Sequence, residues 1–96
     1  MISPDSVVVV SEDLTTADLG GEAIVLDVKS GNYFGLNEVG AFILETIRQP
    51  QPVRVVVERM LEIYDATPEQ ILEDVLAFLN QLKSHGLVEV TNEHLA

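Results

Sequence analysis

Cysteine is absent from the 96-residue chain, which excludes a disulfide framework and any thiolate metal site. Its absence also fits a reducing compartment, so a cytoplasmic location is expected. No apolar run approaches the roughly 18 residues needed to cross a bilayer. The opening MISPDSVVVV has neither the basic region nor the long apolar core of a signal peptide. Positive charge is scarce: Lys29, Arg48, Arg54, Arg59 and Lys83 are the only Lys and Arg residues, and the net charge is −11. Phosphate backbones repel such a chain, because nucleic-acid affinity rests on clustered cations releasing counterions. The charge serves solubility, and its sharper reading is a preference for a basic partner.

Groups that could carry catalysis are equally thin. Of the two histidines, His85 falls near a helix end and His94 in a stretch expected to fray. Neither has the setting of a catalytic base. Gly20-Gly21 stands alone, without the Lys-Ser/Thr of a phosphate loop. Glu58 with Glu62, and Glu69 with Glu73, fall one helical turn apart and read as solvated faces rather than metal or acid/base pairs. The expectation is a non-enzymatic chain without metal or cofactor.

What is present is regular patterning, with 47% hydrophobic residues in a length that fits one domain, residues 1–96, with an ordered core over 7–90. Val7–Val10 reads as a strand, and polar Ser11–Gly21 as a loop. Glu22–Lys29 alternates, with Ile24, Leu26 and Val28 on one face and Ala23, Val25 and Asp27 on the other. Ser30-Gly31-Asn32 supplies a hairpin turn, and Tyr33–Leu36 returns as the second arm.

Asn37 is a natural helix cap before Val39, Phe42, Ile43 and Ile47, with Pro50 and Pro52 as stops. A second helix is expected from Val53, burying Val56, Val57, Met60, Leu61 and Tyr64. Thr67-Pro68 opens a third, closed by Gly86, after which Leu87–Val90 forms a short strand or an extended tail. The third helix carries two apolar lines: Ile71, Val75, Phe78 and Leu82, and beside them Leu72, Leu76 and Leu79. Either both lines are core, or the second is one wall of a groove whose other wall is the arm Tyr33–Leu36. An edge strand there would offer unpaired backbone groups to an extended peptide.

The expected fold is α+β and winged helix-turn-helix-like, a small three-stranded antiparallel sheet followed by a three-helix bundle. Winged helices commonly bind DNA. Here the third helix offers Glu69, Glu73 and Asp74 in its first turns, with Lys83 as its only Lys or Arg, which speaks against that use.

The stretch LDVKSGNYFGLN followed by EVGAFILETI resembles the PqqD-like family. Its members include the peptide chaperone of pyrroloquinoline quinone biosynthesis and the recognition elements of ribosomally made, modified peptides. The Y-F-x-L-N-x-x-G core is most similar to free-standing leader-binding proteins of lasso peptide pathways. That resemblance implies a domain that binds a precursor's leader peptide and delivers it to a separate cysteine peptidase, before a cyclase acts. It implies a leader added as an antiparallel strand along Tyr33, Phe34, Gly35 and Leu36 and lying against the third helix. Carried over by position, the helix wall is Leu72, Leu76 and Leu79, with Val75 and Lys83 contributing. The alternative within the family is a chaperone for a radical SAM enzyme in pyrroloquinoline quinone synthesis. Outside it stand a DNA-binding regulator and an adaptor that holds a partner's helix in the same groove.

Overall fold

The computed structural model describes residues 2–12, 14–20 and 22–91. His94, expected in a frayed end, and Gly21 of the glycine pair lie outside the described residues. The architecture is α+β, with two small antiparallel sheets and three helices. Strands are β1 (Val7–Val10), β2 (Leu14–Asp18), β3 (Ala23–Asp27), β4 (Tyr33–Leu36), β5 (Gln51–Pro52) and β6 (Val88–Thr91). Helices are α1 (Glu38–Thr46), α2 (Val53–Leu61) and α3 (Pro68–Ser84).

The expected single sheet is replaced by two. One has the order β2-β3-β4 and the other β5-β1-β6. β1 therefore leaves the hairpin and pairs with the C-terminal strand, Val8 opposite Val90, and with β5, Val8 opposite Gln51. Its place beside β3 is taken by Leu14–Asp18, within the stretch read as loop, with Thr16 opposite Val25. The polar Thr15, Thr16 and Asp18 hide a strand whose β-branched threonines suit a pleated surface.

Helix boundaries follow local chemistry. The Asn37 side chain accepts from the Gly40 N–H at 2.9 Å and starts α1. Thr67 accepts from the Gln70 N–H at 3.2 Å, ahead of Pro68, and starts α3. Helix α2 has no side-chain cap. Its first N–H groups are instead satisfied by the N-terminal segment, Val53 donating to the Ser6 carbonyl at 2.9 Å and Arg54 to that of Pro4 at 3.1 Å. That segment precedes the expected core, yet Ile2 is buried.

The core joins Val8, Val25, Ile43, Ile47, Val53, Val56 and Met60 to the inner seam of α3: Ile71, Val75, Leu79 and Leu82. Val39, expected in the buried stripe of α1, is partly exposed. Among the described residues no helix is long and apolar enough to cross a membrane.

Leu79 has no exposed surface, so Leu79→Ala leaves a cavity and is expected to cost about 2–5 kcal/mol. Thr67→Ala removes only a cap and is expected to cost about 1 kcal/mol. Urea unfolding of the two variants checks both the order and the gap.

Candidate peptide-binding edge

Strand β4 ends the β2-β3-β4 sheet, and among the described residues no strand pairs with its far side. Which of its backbone groups face outward follows from one bond. The Asp27 N–H donates to the Asn32 carbonyl at 2.8 Å. Bonded and non-bonded pairs alternate along an antiparallel ladder. Continuing that alternation, Val25 bonds Phe34 and Ala23 bonds Leu36, while Leu26–Tyr33 and Ile24–Gly35 are non-bonded pairs. The N–H and C=O of Tyr33 and Gly35 therefore point away from β3. The other side of β3 agrees, since Leu19 N–H donates to the Glu22 carbonyl at 2.7 Å and sends the groups of Ile24 and Leu26 toward β2.

Side chains alternate in the perpendicular direction. Tyr33 is 72% exposed and Gly35 is exposed, whereas Phe34 is half-buried and Leu36 buried. Across the sheet Ile24, Leu26 and Val28 share the outward face of Tyr33, and Val25 does the burying at 1% exposure. An apolar face of the hairpin thus looks to solvent, continued by exposed Leu19. The sheet is held over α1 by Arg48, which donates to Thr16 Oγ1 at 2.7 Å and pairs with Glu45 at 2.8 Å.

One ring contact joins this strand to the end of α3, and a second ring of the helix packs on α1 just beyond β4. The Phe34 and His85 rings lie 5.1 Å apart, tilted by 47°. Phe78 packs over Gly40 of α1, where an added Cβ would come within 3.0 Å of Phe78 Cζ and 3.2 Å of Cε1. Only a residue without a side chain admits the ring so closely. The helix flank nearest β4 is therefore Phe78, Gln81 and His85, which follow one another at three to four residue spacing.

The helix residues expected from sequence fall elsewhere. Val75 and Leu79 are fully buried and support the helix from beneath. At about 100° per residue, Leu72, Leu76 and Lys83 lie about 60–100° to one side of Val75, and Phe78, Gln81 and His85 about 60–120° to the other. Leu72 accordingly faces Val57 and Leu61 of α2. The structure brings Tyr33, Phe34, Gly35 and Leu36 together as one edge but does not bring Leu72, Leu76 or Lys83 beside it. Phe78, on the core line expected from sequence, does pack against the core, and His85 is the cap at the end of α3, as its position near a helix end implies. Neither is among the site residues expected from sequence. The available signal was Gly40, a glycine inside a helix that makes room for an aromatic.

The model for Coenzyme PQQ synthesis protein D (PqqD) matches residues 22–88, from just before β3 to the start of β6. The chain belongs to the PqqD family. Two solved structures share the fold of this PqqD family member. One is described as TbiB1 in complex with the TbiA(beta) leader peptide, 25% identical, covering 84% of this chain and 94% of that one with a TM-score of 0.80. The other is described as lasso peptide synthetase B1 complexed with the leader peptide, 21% identical, covering 85% and 96% with a TM-score of 0.76. No curated protein matches the chain by sequence.

Within this PqqD family member, Gly40→Ala gains about 0.5–1 kcal/mol of helix propensity while pushing the Phe78 ring aside. Thermal unfolding is expected to change little, whereas the Phe78 and His85 ring resonances shift. Unmoved ring resonances would show that the α1–α3 contact does not set the flank beside β4.

Proposed function

We propose that this chain is a non-catalytic recognition protein for the leader region of a ribosomally made precursor peptide in lasso peptide biosynthesis. The leader adds as an antiparallel strand along β4 and is presented to a partner leader peptidase, with the cyclase acting afterwards. The observation that carries this reading is the free β4 edge, with the N–H and C=O of Tyr33 and Gly35 directed outward beside Phe34, Phe78 and His85. Likeness to a protein described in complex with a leader peptide supports leader binding, and the same fold occurs in a protein described as lasso peptide synthetase B1. Backbone pairing supplies affinity with little demand on leader sequence, and the rings offer an apolar seat for one anchoring side chain.

Presentation draws support from the outward face of the sheet. Ile24, Leu26 and Tyr33 are exposed in a row, and a strand added beyond Tyr33 would extend that face with its own alternate side chains. A peptidase that touches both would engage the bound leader more strongly than the free one. A second reading, a peptide chaperone serving a radical SAM enzyme in pyrroloquinoline quinone synthesis, is favoured by the family match itself.

Titration with a synthetic leader of the precursor encoded beside the gene is expected to give a dissociation constant near 1 μM or tighter, about −8 kcal/mol. Gly35→Pro deletes an outward N–H without touching the ladder to β3, as edge strands allow. It is expected to weaken binding about tenfold, roughly the worth of one backbone hydrogen bond at 1.4 kcal/mol. Unchanged affinity in the folded variant would sink strand addition. Preference for a quinone-pathway substrate peptide over the lasso leader would move the chain to the second reading.

A further inference from the structure

The carboxylate pairs Glu58/Glu62 and Glu69/Glu73 have no role in the leader site proposed above. Glu58 and Glu69 nevertheless stand on opposite lips of an apolar cleft between α2 and α3, about 380 Å³ in volume. Val57, Leu61 and Leu72 line it. Leu61 and Leu72 are only partly covered, so this seam between the helices stays open to water. Glu73 lies one turn further along α3, and Glu62 is the cap residue that follows α2.

Two features of this cleft call for a partner of particular chemistry. Each lip carries one carboxylate, Glu58 on α2 and Glu69 on α3, and each has a second carboxylate four residues on in sequence, where like charges repel. Arg54, at one end of the cleft, is engaged by Asp5 at 3.4 Å. The apolar lining meanwhile gains by leaving water. A ligand that relieves both has aliphatic side chains for the floor and cations for the lips. A second copy of the chain does not qualify, because each carries a net charge of −11.

We propose that the α2–α3 cleft docks an amphipathic helix of a partner protein, with aliphatic residues on one face flanked by Lys or Arg. A channel between two helices suits a third helix laid along it. Leu72 and Leu76 lie on the flank of α3 opposite Phe78 and His85, so an occupied cleft leaves the β4 edge free. The chain can then hold an extended peptide and a helical partner at once. The cleft proposal stands on its own observations and survives if the leader reading fails.

The test uses the full chain, isotope-labelled, and a synthetic peptide with Leu and Lys in a helical heptad pattern. A scrambled peptide of equal composition and a Leu/Glu version serve as controls. The patterned Leu/Lys peptide is expected to move amides 57–61 and 69–76 together. The double variant Glu58→Lys with Glu69→Lys, whose circular dichroism should match the original, is expected to bind it at least tenfold more weakly. Absence of binding overturns the proposal. So do equal binding of the scrambled peptide, shifts spread over the acidic surface, or unchanged affinity in the double variant.

Discussion

Each residue of a strand sends its backbone N–H and C=O to one side only, and in β3 this alternation organises the sheet that carries the candidate site. Ile24 and Leu26 are committed to β2, while Ala23, Val25 and Asp27 are committed to β4. The partner residues on β4 are then fixed as Phe34 and Leu36, and Tyr33 and Gly35 are left facing outward. The same alternation, turned through a right angle, decides the side chains. Val25 must point inward for the core to close, so Ile24 and Leu26 point outward with Tyr33. A slip of one residue would bury Tyr33 and expose Phe34, and would turn the backbone of Phe34 to the edge. Core packing and the availability of the edge are thus one condition.

Helix α3 obeys a comparable rule in its own period. Its seam of Ile71, Val75, Leu79 and Leu82 is consumed by the core, which leaves two half-buried flanks. One carries Phe78 toward α1 and β4, and the other carries Leu72 toward α2. Contact between Gly40 and Phe78 sets how closely α1 lies under the helix. The N-terminal segment fixes the opposite side, since Pro4 and Ser6 supply the carbonyls that α2 has no side chain to replace. Small pieces far apart in sequence therefore set how α1 and α2 lie on the two flanks of α3.

Local signals were legible from the residues alone. Asn37 and Thr67 cap their helices through side-chain oxygens, and positive φ values at Gly31 and Gly86 mark the hairpin turn and the end of α3. Inward Phe34 and Leu36 with outward Tyr33 and Gly35 also follow from period two. Less legible was anything that depends on a distant partner. β1 needs β6, roughly eighty residues away, and no local pattern names that partner. β2 is hard to see in the sequence because Thr15, Thr16 and Asp18 are polar, although a strand with one solvated face needs little else. On α3, periodicity revealed a second apolar line but not its neighbour. Leu72 and Phe78 both look like groove walls until α1 and α2 are in place.

The division of α3 bears on how a small acidic domain could be selective. Strand addition is generous by nature, because every peptide has the same backbone. Discrimination must then come from side chains at the edge, and there the supply is narrow: the rings of Phe34, Phe78 and His85, with Gln81 between the last two. The net charge of −11 adds a long-range preference for basic segments, but over one Debye length, about 8 Å at physiological salt, that preference fades into general attraction. Apolar surface supplies what charge cannot, a fixed position. Where the two coincide, on the lips and floor of the α2–α3 cleft, attraction and registry would act on the same proposed partner. At the β4 edge the two would be separated: a leader bound as proposed would take its registry from the backbone ladder and meet the rings with its side chains. On this reading one helix serves two kinds of recognition because its buried seam holds the two flanks apart.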